Sequence, residues 1–84
     1  RPAEIVVAVA GDGRTMVRGE LVDGRNVDAL AAAIAAAAAG RDDAFVIVSA
    51  DALAAHQSVM NVLDASRRAG IVRLTFAAQS GQGR

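Results

Sequence analysis

Asp51 and His56 are the residues of this chain best placed to support acid–base or metal chemistry. Asp51 ends an apolar run that predicts a strand, and α/β sheets commonly carry catalytic groups at strand ends. It also stands where the next helix needs a cap, and we favour that structural role. His56, the only histidine, could sense pH, but its place beside an apolar helical stripe favours a packed, half-buried ring. A lone histidine without cysteine is a poor metal site, so we predict no metal and no cofactor.

Two further features resemble parts of catalytic or nucleotide-binding sites. Gly11-Asp12-Gly13 resembles a fragment of a phosphate loop, but such a loop leads from a strand into a helix, and here a second strand follows. A hairpin turn is therefore the preferred interpretation. The sequence lacks the G-x-S-x-G turn of a serine nucleophile, and its carboxylates form no pair that can be placed across a cleft. We therefore predict that the chain is not an enzyme.

The composition narrows the possible partners. The chain has 84 residues, which fits one domain spanning residues 1–84. The formal net charge is zero, the basic residues are scattered arginines, and only Phe45 and Phe76 are aromatic. Nucleic-acid binding needs a basic stripe and stacking aromatic residues, so we predict no nucleic-acid partner.

Membrane and targeting segments are not visible in this sequence. A membrane helix needs about 20 apolar residues, and the longest candidate run, residues 29–39, is shorter and mostly alanine. The chain opens on Arg1-Pro2 rather than on methionine, which suggests a mature fragment or an excised domain. We therefore expect that an anchor or address can lie outside the given residues.

The first part of the chain predicts a β-hairpin followed by a helix. Residues 4–10 form a β-branched strand, and residues 14–18 return across Asp12-Gly13, a pair that tolerates positive φ. Asn26 or Asp23 can cap the helix, and Gly40 ends it. Alanine covers most of its outer faces, which an alanine-rich composition explains better than a second contact face. The buried stripe is expected at Val27, Leu30, Ala31, Ile34 and Ala38.

Residues 44–76 predict a strand–helix–strand unit. The continuous apolar run 44–49 fits a central strand, and residues 71–78 form the last strand. The helix between them begins after Asp51 and ends at Gly70. A unit of this kind is nearly always a parallel crossover.

The fold class that follows is α+β, a two-layer arrangement of order β-β-α-β-α-β. Two helices pack on one face of a four-stranded mixed sheet, and residues 79–84 form a flexible tail. The first and third strands carry apolar residues on both faces, so the uncovered face of the sheet remains apolar. Exposed apolar patches usually mark interfaces, and we expect a dimer or a docked partner.

Residues 48–64 resemble a stretch of the ExbD/TolR family of biopolymer-transport proteins. Members show an Ala-Asp, an aromatic residue five positions later, an apolar pair, a second Asp, and Ala-Gly before the last strand. His56 stands where the family usually has Tyr. The hairpin around Asp12-Gly13 also resembles the first hairpin of the family, so the similarity covers about residues 5–78. The matching positions are Asp51, Val59, Val62, Asp64, Ala69 and Gly70.

The resemblance implies a periplasmic domain of a single-pass inner-membrane protein. Members carry an N-terminal membrane helix, dimerise, and assemble with ExbB- or TolQ-like membrane subunits. The complex uses the proton-motive force to energise the outer membrane through TonB- or TolA-like proteins, and TolR-like members also contact peptidoglycan. The family motif residues Asp51, His56, Asp64 and Gly70 are expected to act as structural cap and turn positions.

A sheet edge is the expected site for dimer or partner contacts, because main-chain pairing can capture an extended segment. The candidate edges are the last strand, with Val72, Leu74 and Phe76, and the first strand, with Ile5, Val7 and Val9. The alternative function is a stand-alone ligand-binding domain or a small ferredoxin-like enzyme. A membrane helix encoded upstream would separate the two.

Overall fold

Within residues 3–79, five strands form one mixed sheet in the order β3-β2-β1-β4-β5, and two helices pack on it. The structure is a computed structural model that describes residues 3–79. The predicted α+β class is confirmed, with one more strand than expected. The elements are β1 (Glu4–Val9), β2 (Thr15–Val17), β3 (Glu20–Val22), α1 (Val27–Ala38), β4 (Phe45–Asp51), α2 (His56–Arg68) and β5 (Leu74–Gln79).

The extra strand, β3, was not predicted because it is only three residues long. β1 and β2 form the expected antiparallel hairpin, in which Gly13 has φ of 93°. Arg18 and Gly19 then turn the chain again with φ of 53° and 85°. Two consecutive positive φ values suit a two-residue hairpin, so β3 pairs antiparallel with β2.

α1 begins and ends as its sequence predicts. The side chain of Asn26 accepts a hydrogen bond from the Ala29 N–H at 3.0 Å, which satisfies one of the free donors at the helix N-terminus. At the other end, Ala39 and Gly40 both have positive φ and terminate the helix. Leu30 and Ile34 on its inner face are fully buried.

The core lies between the helices and the central strands. Ile5, Val7 and Val9 of β1 are at most 1% exposed and pack with Val46 and Val48 of β4. β1 lies between β2 and β4, so it has no free edge. The prediction that the first strand offers a pairing edge is therefore wrong, because both of its sides are already hydrogen-bonded to neighbouring strands.

An ion pair joins the two helices at the surface, and two others lie within α2. Arg68 of α2 reaches Asp28 of α1 at 2.8 Å, and Asp64 pairs with Arg67 at 3.1 Å and with Arg68 at 3.5 Å. These exposed pairs each contribute little on their own. They nevertheless show that Asp64 forms ion pairs with the arginines three and four residues later on the same helix.

β4 pairs parallel with both β1 and β5, as the strand–helix–strand pattern indicates. Gln79, which was predicted to lie in the flexible tail, is the last residue of β5. The rest of the predicted tail lies outside the described residues. Within residues 3–79, neither helix is long and apolar enough to cross a membrane.

Candidate interaction site at the sheet edge

β5 is the outermost strand on one side of the sheet, and its main chain is unpaired there within the described residues. The N–H of Val46 donates to the carbonyl of Arg73 at 3.1 Å, so Arg73 and Thr75 direct their main-chain groups toward β4. Successive residues of a strand alternate in this direction. Leu74 and Phe76 therefore present their N–H and carbonyl groups to the free edge.

An open groove of about 910 Å³ lies between this edge and α2. Its floor is apolar, and Phe76 is 56% exposed there. The groove exists because α2 packs over β1 and β4 and leaves the helix-facing side of β5 largely uncovered. Its lining is Gln57, Met60, Asn61, Leu63, Asp64, Ser66, Arg67, Ile71, Val72, Leu74 and Phe76.

The rim of the groove on α2 is polar and internally paired. The Gln57 side chain donates to Asn61 at 2.9 Å, and the Asn61 amide in turn donates to the carbonyl of Gly24 at 2.9 Å. Asp64 and Arg67 form the next pair along the helix. An apolar floor with a few fixed polar groups is typical of a binding site.

This wall of the groove was not predicted from the sequence. Gln57, Asn61, Asp64 and Arg67 recur at three- and four-residue spacing, which places them on one helix stripe. A polar stripe of this kind is typical of a solvated helix face, so it does not by itself indicate a binding site. The signal that could have revealed the groove is Met60, an exposed apolar residue within the same stripe.

The predicted residues of the last strand occupy three different environments. Leu74 is half-buried on the groove floor, and Phe76 stands beside it on the same face. Val72 precedes β5 and is 91% exposed at the end of the groove. The edge strand thus begins later than predicted, because residues 71–73 form the connection from α2 rather than strand.

Asp51 does not cap α2, contrary to the prediction. α2 begins at His56, its N-cap is Ala55, and no side chain caps it. Asp51 lies at the end of β4, and its Oδ1 accepts from the Leu53 N–H at 2.8 Å, which closes the turn between strand and helix. Asp51 cannot cap α2 because the turn at residues 52–55 separates it from the first helical residue.

His56 and Gly70 mark the two ends of α2. His56 is its first residue and is exposed, so the predicted half-buried packing of the ring is wrong. A side chain in the first turn can point away from the core even beside an apolar stripe. Gly70 follows the helix with φ of 85°, a conformation that glycine adopts without strain. Asp64, between them, lies on the groove rim.

A second cleft, of about 550 Å³, lies near the β1–β2 turn and is lined by charged side chains. Arg14 pairs with Asp12 at 2.9 Å, and Arg25 lies 3.7 Å from Asp23. The Arg14 N–H also donates to Asp12, and this hydrogen bond lowers the pKa of the Asp12 carboxyl below its usual value. Because its charges are already paired and exposed, this cleft is a weaker candidate than the groove.

The sheet face opposite the helices is apolar and uncovered by any described element, and we call it the open face. Leu21 is 68% exposed there, and Phe45 and Ile47 are half-buried. The expected apolar surface is therefore present. The open face comprises Val6, Ala8, Met16, Leu21, Phe45, Ile47, Arg73 and Thr75.

Comparison with known proteins identifies the family. No curated protein matches the chain. Residues 1–81 match the family described as Biopolymer transport protein ExbD/TolR. This is a membrane-associated family with an energy-transduction role in transport, and it is not a family of enzymes. Residues 3–79 also hold no cluster of three or more His, Cys, Asp or Glu that could bind a metal. Since the match spans nearly the whole chain, the protein belongs to the ExbD/TolR family of biopolymer transport proteins.

Proposed function

We propose that this chain is the periplasmic interaction and dimerisation domain of a proton-driven energy-transduction complex of the ExbB–ExbD–TonB or TolQ–TolR–TolA type. Such a complex serves outer-membrane transport or integrity. The observation that carries the proposal is the free β5 edge beside an apolar groove. Family membership supplies the transport role, and the edge supplies a physical means of contact.

The contact consists of strand addition at β5. An extended segment of the partner hydrogen-bonds to the outward main-chain groups of Leu74 and Phe76. Every second side chain of that segment then lies over the groove floor, against Phe76 and Met60. Main-chain bonds supply affinity in this mode, and the pockets for alternate side chains supply specificity.

The same edge suits two kinds of partner. A second copy of the domain can pair its own β5 antiparallel, which extends the sheet across a two-fold axis. A segment of a TonB- or TolA-like protein can add in the same way. ExbB- or TolQ-like subunits engage a membrane helix that precedes this domain in the whole protein, and peptidoglycan is a further contact for a TolR-like role.

The domain itself carries out no proton step in this proposal. Proton flow acts on the membrane part of the complex, and the domain converts the resulting motion into contact with the partner. The proposed membrane helix before this domain can be tested from the gene sequence upstream of Arg1. An upstream stretch of about 20 apolar residues that contains an aspartate supports the assignment. A soluble reading frame that starts near Arg1 contradicts it.

Proline substitution tests the edge, with alanine as its matched control. Leu74→Pro removes an N–H that faces the free edge, whereas Leu74→Ala keeps that N–H and removes most of the same side chain. Neither change removes a donor to β4. We expect Leu74→Pro to weaken dimerisation and partner capture about tenfold beyond Leu74→Ala.

The measurement compares pull-downs of three ligands by each variant: a TonB-like periplasmic fragment, a TolA-like fragment and isolated peptidoglycan. Circular dichroism first establishes that each variant is folded. Equal binding by folded Leu74→Pro and Leu74→Ala would reject the edge as the contact site. The ligand that is retained by the wild-type chain distinguishes an ExbD-like from a TolR-like role.

A further inference from the structure

The wall of the groove carries a row of alternating charges that ends in an exposed arginine. Asp28 of α1 pairs with Arg68 of α2 at 2.8 Å. Asp64 lies 3.5 Å from Arg68 and accepts a hydrogen bond from Arg67 at 3.1 Å. Of these four residues, only Asp64 and Arg67 line the groove. The Arg67 side chain is 77% exposed, so it can be reached by a group that enters the groove.

Arg67 has donors to spare, whereas Asp64 is already shared by two arginines. The Oδ1 of Asp64 faces Arg67 and its Oδ2 faces Arg68. Within residues 3–79, the Nη2 contact with Asp64 is the one hydrogen bond or ion pair that Arg67 forms. A guanidinium has five N–H donors and can bind a carboxylate with two of them. If Arg67 turns toward a new carboxylate, Asp64 keeps Arg68. The groove therefore accepts an added negative charge more readily than an added positive one.

Arg67 lies at the end of the groove where β5 begins. β4 and β5 are parallel, so α2 returns the chain between them and runs opposite to β5. The last turn of α2, with Arg67, is therefore on the Leu74 side of the groove. Met60 lies about 10 Å back along the helix, toward Phe76. A segment added at β5 thus meets a cation near Leu74 and an apolar surface two positions further along.

β5 itself does not provide a carboxylate for Arg67. Its residues, Leu74–Gln79, include neither Asp nor Glu. A second copy that pairs its own β5 with this edge would leave Arg67 with Asp64 alone. The charge of the groove therefore fits a segment of a different chain better than a second copy of this one.

We propose that the groove selects an acidic, extended segment of a partner protein, and that Arg67 is the residue that determines this specificity. An Asp or Glu of the segment stands opposite Leu74 and binds the spare N–H groups of Arg67. The residue two positions away, on the same face of the segment, is apolar and lies against Phe76 and Met60. This inference rests on the strand addition proposed above and adds the chemistry that distinguishes one partner from another.

The selection is modest and depends on salt. Exposed ion pairs contribute little in water, and Arg67 is largely exposed. We expect the carboxylate to strengthen binding about fivefold at low ionic strength. Most of this gain should disappear at about 1 M salt, because salt screens exposed charges. The main-chain hydrogen bonds of the added strand carry no net charge, so the remaining affinity should be less sensitive to salt.

Synthetic peptides test this selection with the 84-residue chain itself. The probe alternates threonine and valine, has blocked ends, and carries glutamate in place of its central valine. Two matched peptides have glutamine or lysine at that position. Titration followed by the NMR signals of Leu74 and Phe76 gives each dissociation constant. The glutamate peptide should bind about fivefold more tightly than the glutamine peptide, and the lysine peptide should bind most weakly.

Variants of the chain assign this preference to a residue. Arg67→Gln should bind the glutamate and glutamine peptides equally, and Arg67→Glu should prefer the lysine peptide. Arg25→Gln is the matched control, because Arg25 is a 95% exposed arginine that does not line the groove. This control should keep the preference of the wild-type chain. Circular dichroism establishes that each variant is folded.

Two outcomes would overturn the selection and leave strand addition intact. One is a wild-type chain that binds the glutamate and glutamine peptides equally at low salt. The other is a folded Arg67→Gln variant that keeps the preference for glutamate. If no peptide changes the signals of Leu74 and Phe76 at up to about 1 mM, both the selection and the strand addition are rejected. A preference that requires Arg67 but persists in folded Leu74→Pro would reject strand addition alone.

Discussion

Gly24 shows how a single small residue holds the loop before α1 against the sheet. A Cβ at this position would collide with the Oγ1 of Thr15, which is fully buried. The carbonyl of Gly24 also accepts a hydrogen bond from Asn61 on α2. This contact places the start of α1 beside the helix that forms the groove wall.

We predict that Gly24→Ala destabilises the domain by about 1–3 kcal/mol, because the added methyl group must displace Thr15 or the loop. Urea unfolding measures the loss. Thr15→Ala removes the atom that is in the way, so the double variant should lose less stability than the sum of the two single changes. Strict additivity of the two free energies would show that the close approach has no energetic consequence.

Asp12 gives a pH-dependent prediction. Its pKa in the folded state is lowered by the Arg14 N–H, so the ionised form is stabilised by folding. Its contribution to stability is therefore present above the unfolded-state pKa and is lost as the pH falls through the folded-state value. Asp12→Asn should be less stable than wild type at neutral pH, and the difference should vanish in acid. A difference that persists at low pH would assign the effect to packing.

At the scale of elements, the helices follow from local signals in the sequence. The α1 cap and its terminating Gly40 were predictable because both act through neighbouring residues. The role of Asp51 could not be predicted in this way, because the length of the turn after β4 depends on how α2 packs against the sheet. β3 escaped prediction for a similar reason, since three residues carry too little periodicity to indicate a strand.

The α1 cap can be tested directly. Asn26→Ala removes the acceptor for the Ala29 N–H, and we expect a loss of about 1 kcal/mol in unfolding free energy. Asn26→Asp keeps an acceptor at the same position and should retain most of the stability. If the alanine and aspartate variants are equally unstable, the side chain does not act as a cap.

The position of a strand within the sheet could not be read from its own residues. The sequences of β1 and β5 both predict apolar strands, yet β1 is central in the sheet and β5 lies at an edge. The order depends on long-range pairing, in which β4 inserts between them. The groove has the same origin, because the packing of α2 over β1 and β4 leaves β5 uncovered.

At the scale of the whole molecule, two surfaces remain for other molecules. The β5 edge offers main-chain groups beside an apolar groove, and the open face offers exposed apolar side chains. Both surfaces lie on a member of a family whose role is energy transduction in transport. A domain that exposes both surfaces fits the proposed role of contacting other chains.

Hydrogen exchange at β5 can detect strand addition residue by residue. The amides of Leu74 and Phe76 face the free edge, whereas that of Thr75 already faces β4. When a TonB- or TolA-like fragment, or a second copy, is added to saturation, we expect slower exchange at Leu74 and Phe76 with little change at Thr75. Saturated binding that leaves the exchange of Leu74 and Phe76 unchanged would contradict strand addition at this edge.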